Sequence, residues 1–151
     1  MSTDAQIPIG FLLVDVARLL RARIDRAYES AGLGLTAGEA RALAYARQYP
    51  GSRQSALAER MNVEPMTLVG FLDRLEARGL VRRAQDPADR RAKIVELTEE
   101  GLALAARVVA LARAERERAQ EGLSRRDVEA LGRALAVMRA NLSRDLAQER
   151  A

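Results

Sequence analysis

The sequence predicts a mainly α-helical fold that carries one small β-hairpin. Apolar residues recur at three- and four-residue spacings along six segments, which is the pattern of amphipathic helices. Two short β-prone runs separated by a polar turn stand between the fourth and the fifth of these segments. With 151 residues, 48% of them apolar and 30% charged, the chain is long enough to form a single chain fold over 1–151 around its own core.

The composition excludes several classes of site. The chain contains neither cysteine nor histidine, so disulfides, Cys/His metal sites, thiolate nucleophiles and Ser-His catalytic pairs are ruled out. Lys93 is the sole lysine, and 24 of the 25 basic residues are therefore arginines. Arginine is the cation that binds phosphate and guanine through paired hydrogen bonds, whereas a net charge of +4 is weak support for an anionic partner. We expect no metal and no cofactor.

The N-terminal segment lacks the features of a targeting or membrane-spanning sequence. No basic residue precedes its apolar stretch, residues 7–20, and Pro8, Asp15 and Arg18 interrupt that stretch. The absence of cysteine is compatible with a reducing compartment. We therefore expect a cytoplasmic protein without a membrane partner.

The first two predicted elements are helices. The first covers residues 9–28, where apolar and charged residues alternate with a helical period, and it ends in the glycine-containing segment 31–34. Thr36 and Glu39 have the Thr-x-x-Glu spacing of a capping box, in which each side chain accepts from the other residue's free amide. A second helix over 37–48 follows from this start signal.

A short third helix is expected after Pro50-Gly51, which ends the second. Ser52 is a suitable cap for a helix over 53–61, and Asn62, which tolerates left-handed geometry, closes it. Its apolar residues are Ala56, Leu57 and Met61.

The fourth helix begins at Pro65, in the first helical position, where no amide donor is needed, and it ends at Gly79. Its apolar face is expected to pack into the core. That face consists of Leu68, Val69, Leu72 and Leu75.

A β-hairpin is the economical interpretation of the next segment. The β-prone runs are 80–84 and 92–97, and the polar residues 85–91 between them contain Pro87. Residues 82–93 carry five basic against two acidic side chains, which would give this protruding hairpin a positive charge.

Two long helices close the chain. Thr98 caps a fifth helix that runs to about residue 121, and Ser124 begins a sixth. The apolar residues of the sixth helix recur almost as a heptad seam, with no later element to cover them, so we expect dimerisation through 7–30 and 101–148. The expected interface residues are Ile9, Leu12, Leu13, Leu131, Leu135, Met138, Leu142 and Leu146.

The order of these elements indicates a winged helix-turn-helix. Two short helices joined by a tight turn, the second followed at once by a hairpin, form that motif over residues 36–98. Five segments in this region carry a more specific pattern: Gln54–Met61, Glu64–Val69, Leu72–Val81, Asp86–Lys93 and Leu97–Gly101.

Together these segments resemble the core of the MarR/SlyA family of bacterial transcription regulators. The Asp-x-x-Asp-Arg-Arg pattern ahead of Leu-Thr is the most specific part, and the resemblance covers about 36–101 by motif and the whole chain by element order. It implies a repressor that binds a pseudo-palindromic operator of double-stranded DNA as a homodimer. The recognition helix, about 65–78, would enter the major groove, and the wing, about 82–97, would meet the minor groove.

Site residues follow from matching the family pattern to this chain. Arg91 would enter the minor groove beside Arg90, while Asp89 would hold it in place; the alternative is a solvated turn with a local Asp–Arg pair. Near the start of the fourth helix, Thr67 and its neighbours suit phosphates, base edges or a thymine methyl; the alternative is that these residues simply start the helix. The complete set of expected DNA contacts is Gln54, Ser55, Pro65, Met66, Thr67, Arg74, Asp89, Arg90 and Arg91.

Arg74 also has a structural alternative, and Gly70 departs from the family pattern. Arg74 lies two turns beyond Thr67 on the same face and suits a backbone phosphate, but it equally suits an ion pair with Asp73 or Glu76. Many members of the family carry an arginine where this chain has Gly70, so a groove-facing cation is missing.

A small aromatic or phenolic ligand releases DNA in the family, and an anionic aromatic needs an apolar wall plus a cation or a hydroxyl. The candidates are Phe11, Arg18, Tyr28 and Tyr45, whose plain alternative is core or helix surface. A winged-helix protein–protein adaptor with little DNA binding is the second hypothesis. We expect no enzyme, because no carboxylate pair has a spacing that implies a shared cleft, and no phosphate loop or dinucleotide fingerprint is present.

Overall fold

The computed structural model describes residues 7–149. Residues 1–6 and 150–151 lie outside this range. The expectation of one fold over 1–151 includes these residues, and the argument against a signal peptide uses residues 1–6. None of the described helices is long and apolar enough to cross a membrane. The elements are α1 (Ile9–Ser30), α2 (Ala37–Gln48), α3 (Gln54–Met61), α4 (Pro65–Ala77), β1 (Val81–Asp86), β2 (Asp89–Leu97), α5 (Glu99–Ala119) and α6 (Arg125–Glu149).

The mainly helical fold with a two-stranded antiparallel hairpin confirms the predicted fold class. The chain divides into two compact units after Arg116. The first unit holds α1 to α4, the hairpin and most of α5, and the second holds the end of α5 and all of α6.

The core of the first unit lies among α2, α3, α4, the hairpin and α5. Leu68, Leu72 and Leu75 of α4 are fully buried, as their spacing predicts, while Val69 is half-buried. Tyr28 joins the core from the end of α1. The other large and fully buried side chains are Leu43, Leu57, Met61, Val81, Val95 and Val108.

Helix ends mostly follow the signals in the sequence. The capping box of α2 is complete: the Glu39 amide donates to Thr36 Oγ1 at 3.2 Å, and the Thr36 amide donates to Glu39 Oε2 at 3.0 Å. Thr98 Oγ1 accepts from the Gly101 amide at the start of α5. Asn62 closes α3 with a φ of 53°.

The expected cap of α3 is wrong. Arg53, not Ser52, occupies the cap position, and no side chain accepts a hydrogen bond there. The reason is that the main chain here pairs with the hairpin: the Ser52 carbonyl accepts from the Val95 amide at 3.0 Å, and Arg53 forms a bridge with Ile94.

The hairpin is longer than expected. The predicted seven-residue turn is wrong, because β1 and β2 pair from Val81–Leu97 out to Asp86–Asp89, with a register shift after Gln85. A side-chain contact shortens the turn: Asp86 Oδ1 accepts from the Ala88 amide at 2.8 Å, which fixes the chain reversal within two residues. The wing is therefore a protruding two-stranded ribbon with a tight tip.

Helix α6, in the second unit, starts with its own reciprocal cap. The Asp127 amide donates to Ser124 Oγ at 3.2 Å, and the Ser124 amide donates to Asp127 Oδ2 at 3.3 Å. Along α6 the expected interface residues Leu131, Leu135, Leu142 and Leu146 are exposed in the single chain, and Met138 is half-buried.

Candidate nucleic-acid interface

The start of α4 is an exposed surface built by the burial of its opposite face. With Leu68, Leu72 and Leu75 pointing inward, the helical period leaves the first turn open. Pro65, Met66 and Thr67 are all exposed there, and Met66 is 77% exposed. The structure thus puts the three expected contact residues of α4 on one accessible helix end.

The start of α3 and the wing line one cavity. Its volume is about 390 Å³, and its lining brings together four of the expected DNA contacts with three further residues. Oε1 of Gln54 is buried without a hydrogen-bond partner among the described residues. The lining consists of Arg53, Gln54, Ser55, Asp89, Arg91, Ala92 and Lys93.

Arg53 ties the tip of the wing to the start of α3. Its Nε donates to Asp86 Oδ2 at 2.6 Å, and its Nη1 lies 3.9 Å from Asp89 Oδ2. Hydrogen bonds from the Ala88 amide and from Arg53 lower the pKa of Asp86 below its ordinary value. Sequence reasoning missed Arg53, because its partners lie more than thirty positions away in another element.

Asp89 orients the main chain of the wing tip. Its Oδ1 accepts from the Arg91 amide at 3.0 Å, so the contact is to the backbone of Arg91 and not to its guanidinium. Within residues 7–149, no ion pair or hydrogen bond occupies the side chains of Arg90, Arg91 and Lys93, which are exposed. The wing therefore presents three cations to solvent from a fixed ribbon.

Arg74 makes an ion pair that neither sequence alternative named. Its Nε donates to Glu39 Oε1 of α2, and its guanidinium carbon lies 5.6 Å from the centre of the Phe71 ring. That ring in turn packs so closely on Gly38 that α2 has no room for a side chain there. Arg74 remains more than half exposed, at the edge of the α4 surface.

The carboxylate of Glu39 is nearly buried. Burial by itself raises its pKa, but the hydrogen bonds from Arg74 and from the Thr36 amide outweigh this, so the pKa of Glu39 is lowered from 4.5. Glu39 is therefore charged at neutral pH and holds α4 against α2.

Asp73 and Glu76, which the sequence offers as alternative partners of Arg74, bind the wing instead. Arg83 of β1 donates through Nη2 to Asp73 Oδ1 at 2.5 Å and to Glu76 Oε2 at 2.7 Å. These hydrogen bonds lower the pKa of Glu76 and raise that of Arg83. The bonds fasten β1 to α4 and neutralise the acidic side of the helix.

The four effector candidates do not meet in one cavity. Phe11 is exposed on α1, where Arg18 pairs with Asp15, and Tyr28 is buried in the core. Tyr45 lines a cavity of about 270 Å³ between α2 and α5, and the other three candidates are absent from the lining of this cavity. Its lining is Ala44, Tyr45, Gln48, Tyr49, Val109, Ala112 and Arg116.

Arg116 is a cation of this cavity that the sequence did not single out. It lies close enough to Tyr28 to oppose the rise that burial causes in the pKa of that hydroxyl. Tyr49, on the cavity wall, also carries the guanidinium of Arg60 over its ring, 4.1 Å from the ring centre. The cavity wall is thus in contact with α3.

Comparisons with known proteins agree on one family. The family model described as MarR family matches residues 35–93. A transcriptional regulator (MarR family) from Rhodococcus sp. RHA1 is 31% identical, with a TM-score of 0.74 over 91% of this chain and 95% of that one. CouR from Rhodococcus jostii RHA1, solved bound to p-coumaroyl-CoA, is 30% identical, with a TM-score of 0.72 over 91% of this chain and 95% of that one.

A further relative is similar over the central region alone. The HTH-type transcriptional repressor NicR of Pseudomonas putida is 43% identical over 67 residues, which are 44% of this chain and 42% of NicR. The match therefore spans less than half the length of that relative.

Proposed function

From the premise that this chain belongs to the MarR family of transcriptional regulators, we propose that it is a cytoplasmic repressor whose homodimer binds a pseudo-palindromic operator and leaves it when a small ligand binds. The observation that carries the proposal is the shared cavity of α3 and the wing, which Gln54, Ser55, Arg91 and Lys93 line together. Amides, hydroxyls and guanidinium groups are the side chains that position proteins on DNA.

The geometry supports separate DNA contacts for α4 and for the wing, each in a different groove. The exposed first turn of α4 offers Pro65, Met66 and Thr67 to the major groove. At the wing tip, the Asp89 carboxylate fixes the amide of Arg91 and leaves its guanidinium free for a minor groove. A narrow minor groove has an enhanced negative potential, and arginine loses less hydration than lysine on entering it.

The test is a titration against the DNA upstream of the protein's own gene, with a random fragment of equal length as the control. A repressor with a nearby operator binds the first fragment more tightly, and its affinity falls linearly with salt on a log–log plot. Equal binding to both fragments would move the operator elsewhere. A lack of binding to either at low salt would favour the second candidate, a protein–protein adaptor.

The effector part of the proposal centres on the cavity between α2 and α5. Tyr45 supplies a hydroxyl and Arg116 a cation, which together suit a small aromatic or phenolic anion. Because Tyr49 lines the cavity and carries Arg60 of α3 on its ring, an occupant there would act on the helix next to α4.

Benzoate and 4-hydroxybenzoate are suitable probes for this site. Either probe should raise the melting temperature and release bound DNA in the original protein, and Arg116→Ala should reduce both effects. Arg107→Ala, on an exposed position of the same helix, is the matched control. An unchanged response in Arg116→Ala would remove this cavity from the mechanism.

A further inference from the structure

The outward face of α4 carries no cation. Opposite the buried leucines, the helical period gives Met66, Gly70, Asp73 and Ala77 as the outermost line of positions. The sole charged group in that line is the carboxylate of Asp73, which Arg83 binds.

The arginines at the far end of α4 are directed away from this face. Arg74 donates to Glu39 of α2, and Arg78, just beyond the last turn, donates through Nη1 to the Gly34 carbonyl at 2.5 Å. Guanine is read in the major groove by a bidentate arginine or lysine. The centre of this helix has no group for that purpose.

Gly70 is not explained by internal packing. A side-chain carbon at this position would lie 3.7 Å from Arg74 Nη1 and would otherwise meet open space among the described atoms. Glycine within a helix is less stable than alanine. Since no contact inside the fold requires glycine here, the missing side chain suits the close approach of another molecule to the helix.

One turn before Gly70, Met66 has a flexible apolar side chain that is largely exposed and can contact a ligand. In the major groove, the apolar group that distinguishes one base from the others is the thymine C5-methyl.

We propose that α4 reads thymine methyl groups through Met66, with Gly70 as the point where the helix lies closest to the bases, and that this helix does not read guanine. The inference rests on the proposed function and names its target: a half-site with A·T pairs beneath the first two turns of α4. The wing acts in the other groove and adds no methyl readout.

The first experiment selects bound sequences from a library of duplexes with 20 randomised base pairs. In the selected duplex, thymines are then replaced by uracil, which lacks the methyl group, and guanines by 7-deazaguanine, which lacks the N7 acceptor. We expect each contacted thymine to cost about fourfold in affinity when replaced by uracil, and 7-deazaguanine to cost nothing.

Met66→Ala should remove the difference between the thymine and uracil duplexes, since both then lack the same contact. Leu102→Ala, which shortens an exposed leucine at the start of α5, is the matched control and should keep the difference. Equal losses for Met66→Ala on both duplexes would overturn the role of Met66.

Gly70→Ala separates stability from binding. It should raise the melting temperature by about 1–4 °C, because alanine favours the helix, and lower the affinity for the selected duplex at least tenfold. Unchanged affinity would overturn the close approach at Gly70. Selection of no sequence at all would overturn the proposed function itself, whereas a selected duplex that is insensitive to uracil or sensitive to 7-deazaguanine would overturn this inference alone.

Discussion

At the scale of single residues, Glu39 has the widest structural role of the described carboxylates near α4. Its side chain completes the cap of α2 and also binds Arg74, so one buried carboxylate fixes a helix end and joins two helices. The capping part could be predicted because Thr36 and Glu39 lie three positions apart in one element. The ion pair could not, because Arg74 lies 35 positions away and sequence spacing carries no information about contacts between elements.

Glu39 should make stability depend on acid. Since the folded state lowers its pKa below 4.5, its contribution is complete above that pH and is lost as the pH falls through the folded pKa. We expect Glu39→Gln to reduce the free energy of unfolding by about 1–3 kcal/mol at pH 7 and to flatten the decrease below pH 4.5. Urea unfolding across pH measures both, with the exposed Glu29→Gln as control. A full acid-dependent decrease in Glu39→Gln would assign that decrease to other groups.

Arg91 should matter for DNA and not for folding. Its side chain has no described partner, so Arg91→Ala should leave the melting temperature unchanged. Loss of a minor-groove contact should weaken operator binding by about 1–3 kcal/mol. Fluorescence anisotropy with the operator measures this, and Arg107→Ala, an exposed arginine of α5, serves as control. Equal affinities for the two variants would contradict the minor-groove assignment.

At the scale of elements, the sequence located the helices better than the wing. Local signals such as Thr36, Pro65 and Asn62 mark the helix boundaries. The helix ends predicted from these signals lie within a residue or two of the observed ends. The hairpin was underestimated because polar residues 85–91 suggest a loop, whereas cross-strand pairing and the Asp86 side chain carry the strands to a two-residue tip. A polar strand that protrudes from the core has no hydrophobic period to reveal it.

The wing should depend on Arg53 for its position. Without this guanidinium, Asp86 and Asp89 lose their link to the start of α3. We expect Arg53→Ala to speed hydrogen exchange of the amides of Ala88 and Arg91 and to weaken operator binding, with little change in global stability. Arg82→Ala is the control, because its ion pair with Glu96 lies within the hairpin. Protection of the tip in Arg53→Ala would show that the strands alone hold it.

At the scale of the whole molecule, the two terminal helices, α1 and α6, carry rows of apolar side chains that remain exposed in the single chain. Ile9, Phe11 and Val14 on α1 are each about two-thirds exposed or more, and Leu131, Leu142 and Leu146 on α6 are about half exposed or more. Soluble monomers rarely leave such rows open. The sequence predicts the rows from their period, but the partner that covers them is a property of the assembly and not of the spacing.

A second copy of the chain is the partner we expect, and charged substitutions on α6 test it. Leu135→Glu or Leu142→Glu puts a carboxylate into the expected interface, where burying it without a partner costs far more than association gains. Both variants should be monomers by light scattering. Val137→Glu, on an exposed position of α6 outside the near-heptad seam, should remain a dimer.

The same variants decide how the operator is bound. A dimer binds its second half-site intramolecularly, so separated copies lose that advantage even though each winged domain is intact. We therefore expect the monomeric variants to keep the helical circular dichroism signal and to lose at least a hundredfold in operator affinity. An unaltered mass would put the interface elsewhere, and a monomer with full affinity would show that one copy is sufficient to bind the operator.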